Sequence, residues 1–177
     1  MEEAVDQALP GEVEEALLQS YLFLGYPAAL NALALWRRRS GHRAGPPAED
    51  AHLWRERGAE VCSAVYGGQY EGLRANVRRL HPDMERWMVE EGYGKVLGRP
   101  GLDLRDRELC IVALLAVLDA PRQLHSHLRG ALNVGTPPPE VAEALEAALE
   151  LAPPGAAVRA RETWAAVRDR WHRKQEG

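Results

Sequence analysis

The chain has 177 residues, 46% of them hydrophobic and 27% charged, with a net charge of −4. These values fit one compact globular domain that needs neither disulfide staples nor a structural metal, and they exclude wholesale disorder. The acidic balance argues against a nucleic-acid partner, and no apolar run approaches the ~20 residues of a membrane span. The acidic start MEEAVDQALPGEVEE lacks a secretory pattern, so a cytoplasmic protein is expected.

Helical spacing runs through almost the whole sequence. Val13, Leu17, Tyr21 and Leu24 mark one apolar face of a first helix, from about Gly11 to Leu24. Gly25-Tyr26 interrupts it, and Pro27 suits the first turn of a second helix ending near Arg39. Residues 40–50, SGHRAGPPAED, read as a loop. A third helix is predicted from about Glu49 to Tyr66, stopped by Gly67-Gly68, and a short one follows with Tyr70, Leu73, Val77 and Leu80 on one side. Pro82 opens the next, which carries Trp87, Met88 and Tyr93 and stops at GRPG. Asp103 stands where an N-cap would, ahead of segment 104–118, which becomes almost wholly apolar after Glu108. Helices over about 121–134, 137–151 and 155–172 complete an all-α reading, built from antiparallel hairpins joined by short turns.

The expected organisation is a single domain over residues 1–177. It consists of an N-terminal hairpin (12–39), a loop (40–50), a core (51–151) and a C-terminal helix (152–177). Residues 15–36 align without gaps onto 143–164, pairing Trp36 with Trp164, which reads as a duplicated helix–turn–helix with an eroded second copy. Cys62 and Cys110 form no CxxC and no zinc spacing, and are expected to be reduced thiols.

Three segments carry a family resemblance: YGKVLGRPGLDLRDREL (93–109), HSHLRGALNVGTPPPEVAEAL (125–145) and the apolar helix between them. Together they resemble the carboxymuconolactone decarboxylase family, within the alkylhydroperoxidase D-like superfamily. The N-terminal segment 15–33 is similar to the hairpin that usually closes the family domain. The resemblance implies an all-helical bundle assembled as a trimer or hexamer. The peroxidase branch uses a Glu, a CxxC pair and a His four residues beyond the second Cys; here these positions are Glu108, Ala120, Gln123 and His127. With both sulfurs replaced, thiol peroxidase chemistry has no nucleophile and no resolving thiol. Cys110, on an apolar helix, is no substitute.

The decarboxylase branch implies a lyase that uses neither metal nor organic cofactor and acts on a small carboxylated lactone or related unsaturated acid. Such chemistry needs a cation for the anionic groups, an acid for the carbon that loses CO2, and a dry pocket. The resemblance points to His127 as the acid and Glu108 as its partner. Arg129, His125, Arg99 and Tyr93 are the candidates for holding substrate. A hairpin turn at 119–121 does not by itself bring Glu108 to His127, because they lie ~16 Å and ~9 Å from it along their helices. Helix crossing, a bridging water or a neighbouring subunit would have to join them. The rival readings are a non-catalytic oligomeric scaffold that kept the family core and, more remotely, a hydroperoxide reductase.

Overall fold

A computed structural model describes residues 9–42 and 51–175 of the chain. Among these residues there are helices and turns but no strand, as the periodicity predicts. Helix α1 (Pro10–Gln19) begins on a proline, and α2 (Tyr21–Ser40) continues almost directly from it. Ser20 between them keeps right-handed helical angles, and the real interruption is at Gly25, with φ 75° and ψ 168°, just ahead of Pro27. Glycine meets that angle without a Cβ penalty. Helical winding thus runs on past Ser20, and the break at Gly25 falls where expected. Gly41, left-handed at φ 66°, ends α2 after three arginines whose charge suits the helix C-terminus. Most of the predicted loop, residues 43–50, and the expected start of the third helix at Glu49 lie outside the described residues.

After a short 3-10 turn, α3 (Trp54–Tyr66) leads through a second such turn into α4 (Tyr70–Leu80) and α5 (Pro82–Trp87). Residues Met88–Leu97 then wind as a π-helix, a departure from the regular helix predicted there. Its cause is tertiary. The backbone of Gly94 lies so close to Trp54 that a Cβ would collide with the Trp54 carbonyl, and Gly58 meets the Val89 carbonyl in the same way. Arg57 Nε donates to the Gly94 carbonyl at 2.8 Å, supporting a group that regular helical bonding would otherwise serve.

Asp103 caps α6 (Leu104–Val117), its Oδ1 accepting from the Arg105 N–H at 2.8 Å. Helices α7 (Pro121–Asn133), α8 (Pro138–Leu149) and α9 (Pro154–Gln175) follow, each with proline at its first turn. No helix among the described residues is long and apolar enough to cross a membrane.

The chain forms two compact units. The first comprises Met1–Cys62 and Glu71–Arg107, the second Ser63–Tyr70 and Glu108–Gly177. In the first, α1 packs on α2 and on the π segment. Its interior contains Trp36, Val89, Tyr93, Val96 and Leu97, together with a polar knot. Fully buried Arg107 donates to Glu15 Oε2 (2.9 Å), Gln19 Oε1 (3.3 Å) and the Arg99 carbonyl (3.0 Å). Arg99 grips the same carboxylate with three contacts of 2.8–3.1 Å.

In the second unit α9 packs on α7 and α8 around Ile111, Val112, Leu115, Leu124, Leu128, Leu145 and Trp164. Trp36 and Trp164, paired in the sequence alignment, are thus each buried in a different unit.

Candidate functional site

Glu108 is the fifth residue of α6 and is fully buried; His127, in the middle of α7, is nearly so. Their side chains meet within the second unit, His127 Nδ1 lying 2.9 Å from Glu108 Oε2. The contact that hairpin arithmetic alone does not produce is therefore made directly, side chain to side chain, within one chain. An ionised carboxylate can only accept, so in that state Nδ1 carries the donated proton and Nε2 becomes the proton-transfer atom. The ring of Tyr66 stands edge-on to the imidazole, with centroids 6.3 Å apart at 70°.

Gly130 makes the approach possible. A Cβ built there would lie 2.6 Å from Glu108 Oε2 and 2.7 Å from Val65 Cγ1, closer than real Cβ contacts come. Glycine costs a helix interior ~1 kcal/mol relative to alanine, so its place here has a packing reason. The end of α3 is tied to the same wall, with Asn133 Nδ2 donating to the Val65 carbonyl at 2.8 Å. Asn133 thus serves the end of a neighbouring helix.

Glu108 Oε1 is buried and makes no hydrogen bond among the described residues. An unmet buried acceptor costs ~1–3 kcal/mol, more when charged. Groups held at such a cost concentrate where chemistry is done.

The remaining candidates are distributed elsewhere. His125 and Arg129 are each two residues from His127, roughly 200° around α7, and line depressions shared with α9. Burial and the charges of Arg129 and Arg170 hold the His125 imidazole below its ordinary pKa. Arg99 and Tyr93 belong to the first unit, where Arg99 is engaged by Glu15 and Tyr93 is buried among apolar side chains.

At the two positions where the peroxidase pattern needs sulfur stand Ala120 and Gln123. Cys110 is half-buried on α6. No group of three or more His, Cys, Asp or Glu suited to a metal ion occurs among the described residues. Sequence reasoning missed Gly130, Val65 and Tyr66 as parts of the site. Only Gly130 left a trace, as a glycine inside a helix three residues after the histidine.

The chain is similar in sequence to known proteins. Peroxisomal protein 2 of Schizosaccharomyces pombe is 28% identical over 158 residues, covering 84% of this chain and 72% of that protein. Nitrosuccinic acid decarboxylase npaB of Metarhizium robertsii is 32% identical over 91 residues, covering 51% of this chain and 64% of that protein. Residues 82–169, which include both Glu108 and His127, match the carboxymuconolactone decarboxylase family. The chain belongs, through that segment of about half its length, to the carboxymuconolactone decarboxylase family.

Proposed function

We propose that the protein is a cofactor-free carboxy-lyase acting on a small carboxylated lactone or related unsaturated acid, with His127 as general acid and Glu108 as its charge partner. The observation that carries this reading is the 2.9 Å contact between His127 and the wholly buried Glu108. In the proposed step the bond from carbon to the departing carboxylate breaks and CO2 leaves. The electron pair stays behind, delocalised over the unsaturated system. The imidazolium at Nε2 then protonates that carbon, and solvent restores the proton. Glu108 stabilises the imidazolium before transfer and fixes the ring so that Nε2 is the delivering atom. The family membership and the decarboxylase name of the Metarhizium relative both support a carboxylic-acid substrate. The two absent sulfurs oppose a thiol peroxidase.

A homo-oligomer, trimeric or hexameric, goes with this reading. Leu80, at the end of α4, and Met84 and Trp87, on α5, are exposed apolar side chains suited to a subunit contact. A cytoplasmic location also goes with it, the peroxisome being the rival that one relative's name raises.

The test is a panel of carboxylated lactones and unsaturated acids assayed for CO2 release. Wild type should turn over at least one of them, and His127→Ala should lose ~10²–10⁴-fold in kcat while keeping its helical circular dichroism. Equal rates in the two proteins retire His127. No release from any substrate leaves the scaffold reading in its place.

A further inference from the structure

Helices α7 and α9 present matching polar stripes to each other. On α7 these are Arg122, His125, Arg129 and Asn133, at successive turns; on α9 they are Glu162, Thr163, Arg170 and Lys174. Between them runs a groove with two parts. Its wider part, about 560 Å³ and largely open to solvent, is lined by Arg122, His125 and Glu162 among others. Its narrower part is a notch of about 30 Å³ lined by Arg129, Asn133, Arg170, Lys174, Val167 and Trp171. That volume holds one or two water-sized groups, about the space the oxygens of an oxyanion need.

The charge balance of this groove is opposite to that of the chain. Four permanent cations (Arg122, Arg129, Arg170 and Lys174) face one carboxylate, Glu162, on a protein whose net charge is −4. None of the four takes part in an ion pair among the described residues. Elsewhere in the same unit arginines are matched, Arg159 with Asp119 and Arg161 with Glu146. The field is felt at the groove's own histidine: after burial, the charges of Arg129 and Arg170 are what depress the His125 pKa. Like charges held on facing stripes with a single carboxylate among them repel. Two guanidinium groups in particular suit the planar, multidentate geometry of carboxylate and phosphate.

The geometry points to an oxyanion-binding site between α7 and α9, in which Arg129, Arg170 and Lys174 hold the carboxylate or phosphate of a small molecule while His125 and Arg122 flank its remainder. This site lies around the opposite face of α7 from the Glu108–His127 pair and does not depend on the lyase reading. Trp171, half-buried at the notch, offers an apolar wall to the carbon skeleton beside the anionic group.

The site can be read without any activity, through the His125 imidazole, assigned by its loss in His125→Gln. An anion seated beside Arg129 and Arg170 cancels the field that depresses this histidine, so its NMR titration midpoint must rise. Full-length protein is titrated with inorganic phosphate and, separately, with malonate, against sodium chloride at matched ionic strength. The expected result is a saturable rise at millimolar phosphate or malonate that chloride does not reproduce. His127→Ala should leave that rise intact, so failure of the lyase reading and failure of this one are separable.

In Arg129→Gln/Arg170→Gln, checked for folding by circular dichroism, the midpoint should start higher and the affinity should fall at least tenfold. A response to malonate alone identifies a carboxylate ligand, to phosphate alone a phosphoryl one, and to both an oxyanion site common to them. No rise with either anion, an equal rise with chloride, or an undiminished response in the double variant overturns the proposal. So does conversion of an oligomer to monomer by the double variant in light scattering, which would make the groove a subunit contact.

Discussion

Two buried carboxylates, one in each unit, are treated in opposite ways. Glu15 in the first unit receives two arginines: Arg99 straddles both of its oxygens, and Arg107 adds a bond to Oε2 from a fully buried position. Glu108, the very next residue after Arg107, receives one imidazole on Oε2 and nothing on Oε1. The first arrangement spends every lone-pair direction on fixed cations and leaves no proton to move. The second keeps a buried acceptor half-met beside an imidazole, a group that can both donate and accept a proton. Saturation makes an anchor, and incomplete saturation makes a group available for chemistry. Arg99, one of the substrate-holding candidates of the sequence, is engaged with Glu15 inside the first unit.

The largest effect expected from breaking this contrast is at the anchor. Glu15→Gln takes away the carboxylate that pairs with buried Arg107, and removing one partner of a buried pair costs ~3–5 kcal/mol. Urea unfolding should show that loss. The pH dependence follows from the direction of the shift. Burial pushes the Glu15 carboxyl up, but the hydrogen bonds and charges of Arg99 and Arg107 outweigh it and hold the carboxyl below its ordinary value. A carboxyl depressed in the folded state contributes stability that is complete above its unfolded pKa, about 4.3–4.5. That contribution drains away as pH falls through the lower folded value. Wild type should therefore lose stability more steeply than Glu15→Gln below about pH 4.5. Parallel acid limbs would show that the knot contributes nothing through ionisation.

How much of this was readable in advance divides along the same line between local and tertiary chemistry. Helix starts at Pro82 and Pro121 and the Asp103 cap are decided by residues within one turn of each other, and they fall where the sequence places them. The π segment does not, because what forces it is the approach of Gly94 to Trp54, forty positions earlier. The Glu15 knot joins residues 84 and 92 positions apart, and nothing in the spacing of a helical chain announces it. The Glu108–His127 contact spans 19 positions and came from family resemblance rather than from periodicity. Helical rise put the two at unequal depths from their shared turn, so side-chain reach and the gap at Gly130 had to close the difference.

The next effect in size tests that gap. Gly130→Ala adds a methyl 2.6 Å from Glu108 Oε2 against the wall of Val65, so either the carboxylate or the helix must move. Overpacking of this kind costs ~1–3 kcal/mol, offset in part by the ~1 kcal/mol that alanine gains in a helix. The catalytic consequence should exceed the structural one. If the pair is the lyase's acid, a carboxylate displaced from Nδ1 should lower kcat at least ~10-fold with KM little changed. Unchanged turnover in a folded Gly130→Ala protein would mean that the contact does not matter to the reaction.

The smallest expected change in stability is also the one that discriminates best between anchor and reactive group. Glu108→Leu replaces a half-satisfied buried carboxylate by an apolar side chain of similar size, on a helix already apolar nearly all round. The substitution removes one hydrogen bond worth ~1 kcal/mol net, but it also removes an orphaned acceptor that costs ~1–3 kcal/mol to bury. Unfolding free energy should therefore stay within ~1 kcal/mol of wild type, or rise. Glu15→Leu, the same chemical change at the other carboxylate, should lose ~3–5 kcal/mol by stranding Arg107. Any turnover found in the CO2 assay should fall in Glu108→Leu as steeply as in His127→Ala, because the two would act as one unit. Equal stability losses at Glu15 and Glu108 would show that both carboxylates are anchors, and the distinction between saturated and open sites would go with it.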